Sequence, residues 1–377
     1  MAIHIENLKV EQFRGIRQLS VPNLNHINLI VGDNNCGKTS FLEALLLLRD
    51  PGDFTNTLRI ARMRDSLAMY GGISAYESLL TLFPHSSNEE ETARMLSLQA
   101  RCRGEDILYS LEGNVKTIML DPEEQNRIPR YSMRNFRKFK DSIPSECQAF
   151  QGNLLVRTGN NQETTEIRFH EYSTVSGRDI TNRHLLNMVY LAPFDHLRGG
   201  NFSRILTNDP YKELCVQILQ LFDPGITDLL MLKNENTNRP IECVKHKELG
   251  IMPLSSYGDG IKKVLSIASG IARAVDGVLL IDEVETAIHS RYFEDIFRFI
   301  TSACRKFGVQ VFITSHSIEA IDGFLSIMDY EKTTEQEDPV SVVTLKKDWR
   351  SSLSYARVLS GCHVHQNREQ FGFEVRL

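Results

Sequence analysis

The alternation of apolar and polar positions divides the chain into a series of predicted elements. Near the start, Ile3, Ile5, Leu8 and Val10 alternate with polar residues and lead to Phe13-Arg14-Gly15-Ile16, which predicts a hairpin. Ile27, Leu29, Ile30 and Val31 form a short apolar run, the form a strand takes when both of its faces are buried in a parallel sheet. Phe41, Leu42, Ala44, Leu45 and Leu48 then recur at helical spacing until Pro51-Gly52 breaks the pattern. Residues 53–98 mix helical patches with polar turns such as Tyr70-Gly71-Gly72, predicting a mainly helical insertion. Residues 107–119 and 154–170 alternate as antiparallel strands do, with a turn at Gly159-Asn160-Asn161.

The second half is denser in signals. A strand is predicted over residues 188–193 and a helix over 210–222. A second, strong helix carries apolar residues at 261, 264, 265, 268, 271, 272 and 275. Residues 278–281 and 309–313 are apolar strands joined by a helix with Phe293, Ile296, Phe297, Ile300 and Phe307 on one stripe. A strand–helix–strand crossover puts the ends of both strands on the same sheet edge. Neither heptads, internal repeats nor low-complexity tracts occur.

At 377 residues the chain exceeds the usual single-domain size. The pattern predicts an α/β core split between 1–50 and 150–377, interrupted at 51–149 by a mainly helical insertion or lid with some strand. A formal charge of −5 gives no whole-molecule case for nucleic acid, so any such claim must rest on a local patch. The one candidate is 127–140, with six Lys and Arg residues and Tyr131, Phe136 and Phe139 between them. A solvated helix face with its aromatics turned inward is the favoured reading of that segment over a nucleic-acid strip. Seven cysteines lie scattered without a C-x-x-C pair, which suits reduced thiols in a cytoplasmic protein. No leader pattern and no run of membrane-spanning length is present, so no membrane partner is expected.

Chemistry concentrates at four places. Between the strand at 27–31 and the helix that follows lies Gly32-x-x-x-x-Gly37-Lys38-Thr39-Ser40, with Asn34, Asn35 and Cys36 in the loop. Triphosphate oxygens need several backbone N–H groups at close range, hence glycines and a helix N-terminus aimed at the anion. Lys38 then serves the β- and γ-phosphates, and the Thr39 hydroxyl is placed to ligate Mg²⁺. The strand at 278–281 ends in Asp282 and Glu283, a candidate Mg²⁺ carboxylate and a candidate general base. The strand at 309–313 ends in Thr314-Ser315-His316, where a histidine can meet a γ-phosphate or the attacking water. Ser255, Ser256, Gly258 and Gly260 precede a strong helix and make a second candidate anion site, although an ordinary capped helix start has the same look. One P-loop with two phosphate-binding helix starts suggests that the second serves another copy of the chain, in a two-fold dimer with ATP at the interface.

The order of these motifs resembles that of ABC-type ATPases of the SMC, RecF and OLD group. Phe13-Arg14-Gly15, Ser255-Ser256-Tyr257-Gly258-Asp259-Gly260, Asp282-Glu283 and Thr314-Ser315-His316-Ser317 are most similar to the short OLD-like AAA-family ATPases. The resemblance implies an ABC-type P-loop NTPase fold with an antiparallel β subdomain and a helical insertion. It implies ATP and Mg²⁺ held by Lys38, Thr39 and Asp282, water activated by Glu283, and His316 as a γ-phosphate sensor. Ser255, Ser256, Gly258 and Gly260 would act in trans, and Arg14 would lie near the base or phosphates. The signature departs from Leu-Ser-Gly-Gly-Gln, and no glutamine stands out as a Q-loop; residues 195–198 only occupy its position.

Two absences narrow the function. The stretch from Thr39 to Leu254 has no long coiled coil, and the roughly sixty residues after His316 hold no convincing Asp-x-Asp nuclease site. The leading expectation is a regulatory ATPase, active as an ATP-sandwich homodimer or higher oligomer, that controls a separate effector protein in antiviral defence or a toxin–antitoxin-like system. The alternatives are a RecF-like DNA-repair ATPase that clamps DNA, and a nucleotide-gated scaffold with little turnover.

Overall fold

The structure, a computed structural model, describes residues 2–64, 73–84, 93–127, 145–173, 184–198, 203–233, 238–330, 337–372 and 374–375. The N-terminal half runs β1 (Ile5–Phe13), β2 (Ile16–Val21), β3 (Ile27–Val31), α1 (Lys38–Leu47), α2 (Phe54–Arg62) and α3 (Ala75–Leu80). It continues with β4 (Arg94–Cys102), β5 (Glu105–Met119), α4 (Pro122–Arg127), β6 (Glu146–Thr158), β7 (Asn161–His170) and β8 (Met188–Leu191). Next come α5 (Ser203–Leu206), α6 (Asp209–Gln220), β9 (Ile226–Lys233), β10 (Pro240–His246), β11 (Gly250–Pro253) and α7 (Asp259–Arg273). The chain ends with β12 (Val278–Ile281), α8 (Phe293–Phe307), β13 (Gln310–Thr314), α9 (Ile318–Leu325), β14 (Val340–Lys347), β15 (Ser354–Ser360) and α10 (Gly361–Phe371).

The central sheet has the order β15-β14-β3-β13-β12-β8, parallel except for the edge strand β15. Its inner strands are buried along their whole length, which is why β3, β12 and β13 read as apolar runs rather than alternations. Successive side chains serve two different cores. Leu29, Val31, Leu279, Val311 and Ile313 pack with residues of α6, α7, α8 and α9, whereas Ile30, Leu280, Phe312 and Val343 pack with α1 and a second sheet.

That second sheet is antiparallel, in the order β2-β1-β4-β5-β6-β7, and a third, small sheet runs β11-β10-β9. The two large sheets are tied by Gln310, fully buried at the start of β13. Its Oε1 accepts from the backbone N–H groups of His4 (3.0 Å) and Ile5 (2.8 Å), and its Nε2 donates to the carbonyls of Ile5 and Asn25, both at 2.8 Å. A buried amide with both ends satisfied is a strong positional constraint.

The division expected from the sequence is redrawn here. Residues 94–102 form strand β4 rather than part of a helical insertion, and 149/150 falls inside β6. Leu96, Leu98, Ala100 and Cys102 alternate inward, and β4 pairs with β1 through Leu8↔Ala100 and Val10↔Leu98. Most of 94–170 therefore belongs to one sheet with the N-terminal hairpin, and α2 and α3 are helices set between its strands. The basic segment at 127–140 lies outside the described residues apart from the backbone end of α4. None of the seven cysteines forms a disulfide, and all are buried. Among the described residues no helix is long and apolar enough to cross a membrane.

Candidate functional site

The P-loop leaves the carboxyl end of β3 and enters α1. Gly32 has φ 141°, and a Cβ added there would meet the Leu345 carbonyl oxygen of β14 at 2.2 Å, so both conformation and close approach demand glycine. Gly37 has φ 105° and occupies the cap position of α1, where no side chain bonds to the helix. The first N–H groups of the helix are thereby left for an anion. Lys38 Nζ donates to the carbonyls of Gly32 (2.8 Å) and Asp33 (2.9 Å), which holds the ammonium across the loop. Burial pushes the Cys36 thiol up, so this loop cysteine stays protonated.

Asp282 and Glu283 follow β12, two strands along from β3. Asp282 is 3% exposed and fully bonded. Its Oδ2 accepts from Thr39 Oγ1 (3.0 Å) and Tyr190 OH (3.1 Å), and its Oδ1 from Thr314 Oγ1 (2.6 Å). Burial, reinforced by the Asp282 carboxylate, drives the Tyr190 phenol far up, fixing it as a donor. Glu283 sits at φ 47°, a left-handed conformation that costs a non-glycine residue about 1–2 kcal/mol. Two contacts stabilise it: its N–H donates to Thr314 Oγ1 (2.8 Å), and its carbonyl accepts from Lys263 Nζ (3.3 Å). Lys263 comes from α7, is 2% exposed and also donates to the Pro193 carbonyl at 3.2 Å. Burial pushes its pKa down to about 8, against the pull of Glu285, Asp282, Asp195 and Glu283.

A cavity of about 550 Å³ opens over the loop, lined by Asn34, Asn35, Gly37, Lys38, Thr39, Ser40 and Glu283, together with Arg14, Gly15, Arg64 and Lys347. Arg14 reaches this wall but is already engaged. Its Nε lies 2.9 Å from the buried Glu43 carboxylate, and its terminal nitrogens donate to Thr81 Oγ1 and the Ile60 carbonyl. The arginine expected beside base or phosphates thus ties α1 to α2 and α3. Arg64 donates to both Glu43 oxygens and to Ser40 Oγ (3.0 Å).

Two expected contributors stand elsewhere. His316 is 52% exposed and does not line the cavity; its Nδ1 lies 3.0 Å from Glu285 Oε1, which also accepts its backbone N–H at 2.8 Å. Ser255 and Ser256 lie in a short 3₁₀ turn before α7, whose cap residue Gly258 makes no side-chain cap. Both serines and Gly258 are exposed, Gly260 is half-buried, and Ser255 lines a separate cavity of about 690 Å³ with His196, Arg198 and Lys262. Residues 195–198 form a 3₁₀ turn in which Asp195 Oδ2 accepts the Ala192 N–H at 2.8 Å. The residues that sequence reasoning missed are Tyr190, Thr314, Lys263, Arg64 and Lys347, of which Thr314 had a local signal beside His316.

Among the described residues no group of three or more His, Cys, Asp or Glu side chains is placed to hold a metal. Mg²⁺ does not need one, since it keeps several waters and takes one or two protein oxygens plus phosphates. The Thr39 and Asp282 oxygens, 3.0 Å apart, match the roughly 2.9 Å edge of an octahedron with ligands at 2.0–2.1 Å.

A phosphate loop on a parallel strand, with an acid pair ending a nearby strand of the same sheet, defines a P-loop ATPase of ABC type. Residues 27–322 match the family described as "AAA domain, putative AbiEii toxin, Type IV TA system", and the chain belongs to that family. It is 23% identical over 360 residues to a Helicobacter pylori protein named ATP/GTP phosphatase, covering 88% of this chain and 91% of that one. It is 29% identical over 155 residues to the DNA replication and repair protein RecF of Oenococcus oeni, 40% of each chain. Among solved structures, the SmcHead bound to the C-winged helix domain of ScpA aligns over 95% of this chain and 98% of that one, with 12% identity and a TM-score of 0.48. That score is too low to add to the strand order and the family match, which define the architecture.

Proposed function

We propose that the chain binds ATP with Mg²⁺ at its P-loop and hydrolyses it, that residues 255–260 of a second copy complete the site, and that the nucleotide-dependent dimer controls a separate effector. The carrying observation is the Thr39–Asp282–Thr314 cluster, with Glu283 beside it facing the same cavity as Lys38. In this reading Lys38 and the free N–H groups of α1 neutralise the phosphates, and Thr39 and Asp282 hold Mg²⁺, which supplies charge neutralisation at the phosphate oxygens. Glu283 accepts the proton of the water whose oxygen attacks the γ-phosphorus as the bond to the β-phosphate oxygen breaks. His316, tethered to Glu285, is the γ-phosphate sensor of the closed site. The family description and the name of the Helicobacter pylori relative support the nucleotide chemistry and the toxin–antitoxin or defence setting.

Phosphate release and molar mass in solution test this together. Wild type should release phosphate and dimerise with ATP. Lys38→Ala should lose both, and Glu283→Gln should lose turnover by about 10²–10⁴-fold while accumulating as an ATP-bound dimer. Turnover untouched by Glu283→Gln would remove the assigned base. The match to RecF favours a DNA clamp as the second reading. It requires DNA binding that depends on ATP and weakens steeply with salt.

A further inference from the structure

The cavity over the P-loop does not end at Lys38 and Thr39. A second cavity of about 390 Å³ adjoins it, and both are lined by Arg14, Gly15, Arg64 and Lys347. Only the first holds Lys38, Thr39 and Glu283; the second adds Arg17, Thr81, Phe83, Pro84 and Ser352. With the phosphates of a nucleoside triphosphate in the first chamber, the second is the adjoining space open to its ribose and base, and the four shared residues line both.

The cations among these four residues are unequal. Arg14 and Arg64 already share the buried carboxylate of Glu43. Lys347 has no carboxylate within ion-pair distance among the described residues, although triphosphate chemistry calls for positive charge there. It ends β14, the strand whose Leu345 carbonyl packs on Gly32, so a rigid element presents it to the loop. Its Nζ lies 4.9 Å from the centroid of the Trp349 ring and 3.3 Å from where a Cβ on Gly15 would stand. A cation–π contact holds an ammonium in place without neutralising it. Trp349 is itself 67% exposed, and both residues fall beyond the 27–322 span of the family match.

We propose that Lys347, held over Trp349 on the turn between β14 and β15, is a second cation of the nucleotide site and contacts the phosphate chain at its nucleoside end. This rests on the reading of the P-loop as an ATP site. The C-terminal hairpin then closes a site that the N-terminal loop opens. Trp349 is the only tryptophan in the chain, so its emission reports on this contact alone.

The test combines equilibrium dialysis of labelled ATP with tryptophan emission, on the full chain. Wild type should bind ATP with a saturable change in Trp349 emission that tracks the dialysis curve. Lys347→Met should bind about tenfold more weakly, the scale of one hydrogen bond to a charged group, with its thermal midpoint unchanged. Its KM should rise more than its kcat falls, and Lys347→Arg should restore most of the affinity. If wild type binds ATP while emission stays constant, or Lys347→Met binds within twofold of wild type, the inference is overturned and the ATP site stands. If wild type binds no ATP by dialysis, both fall.

Discussion

The glycine-capped helix starts of α1 and α7 have the same outline and different surroundings. On five other helices a side chain closes the first turn, Asp53 on α2, Ser74 on α3, Asn208 on α6, Ser317 on α9 and Ser360 on α10, while α8 follows directly from a 3₁₀ turn and has no such cap. At α1 and α7 the cap is glycine and contributes no such bond. Yet α1 opens into a cavity lined by Glu283 and Lys38, whereas α7 presents Ser255, Ser256 and Gly258 at the surface. In the proposed reading the first meets the nucleotide within one copy and the second meets it from another. This contrast, more than either motif alone, makes a composite site the economical reading.

Gly32 of the P-loop and Gly258 before α7 give the largest expected difference. Gly32→Ala would need φ 141° and would press a methyl to 2.2 Å from a backbone carbonyl, so a loss of at least about 4 kcal/mol is expected, up to failure to fold. Gly258 has φ −64° and nothing within 4 Å of its missing Cβ. Gly258→Ala should leave stability within about 0.5 kcal/mol of wild type. Chemical denaturation of both variants measures the gap, and equal losses would dissolve the comparison.

Next in size is the link between the two regions. Lys263 lies on α7 but bonds the Glu283 carbonyl, so the outer helix props the turn that carries the proposed base. Its folded pKa, about 8, lies below the free-lysine value of 10.5, so the charged amine is penalised in the native state at neutral pH. As pH rises from about 8 to 10.5, the native chain gives up this proton before the unfolded chain does, and stability rises. Wild type should therefore gain up to about 3 kcal/mol relative to Lys263→Met across that window. A pH-independent difference would mean that Lys263 is not the group titrating there.

Such links explain where sequence reading stops. The P-loop and Asp282-Glu283 were legible because each motif is local: a few consecutive residues carry the glycines, the lysine and the acids between apolar runs. Tyr190, Thr314 and Lys263 reach the same acids from β8, β13 and α7, and only the strand order β3-β13-β12-β8 brings them together. Arg14 was legible as a motif residue, but its pairing with Glu43 depends on how α1 packs against the hairpin. Strand β4 alternates clearly at Leu96, Leu98 and Ala100, but it was absorbed into a helical stretch because its partner β1 lies far away in sequence.

A mixing experiment addresses the dimer directly. Lys38→Ala disables the loop and leaves α7 intact, while Gly258→Glu has open space at its Cβ and sets a carboxylate before the α7 start, repelling phosphate. Each variant alone should lose about a hundredfold or more in turnover. An equal mixture forms hybrid dimers in half of the cases, each with one intact pair of surfaces, so about a quarter of wild-type turnover should return. Recovery no greater than the sum of the two variants would mean that residues 255–260 do not act in trans.

The smallest effects test whether the bare start of α7 is bare for a reason. Ser317→Ala removes the oxygen that accepts the Ala320 N–H at 3.1 Å and should cost about 1 kcal/mol, an ordinary capping loss. Gly258→Ser does the opposite and supplies a cap where none exists, worth a few tenths of a kcal/mol in thermal stability. If α7 is merely an unoptimised helix, that gain should come without penalty. If its N–H groups are kept open for the phosphates of a second copy, the added hydroxyl competes for them. The more stable protein should then dimerise less readily with ATP and turn over more slowly. Differential scanning calorimetry beside ATP-dependent molar mass separates the two, and a stabilised variant with unchanged dimerisation would return α7 to the ordinary helices of the fold.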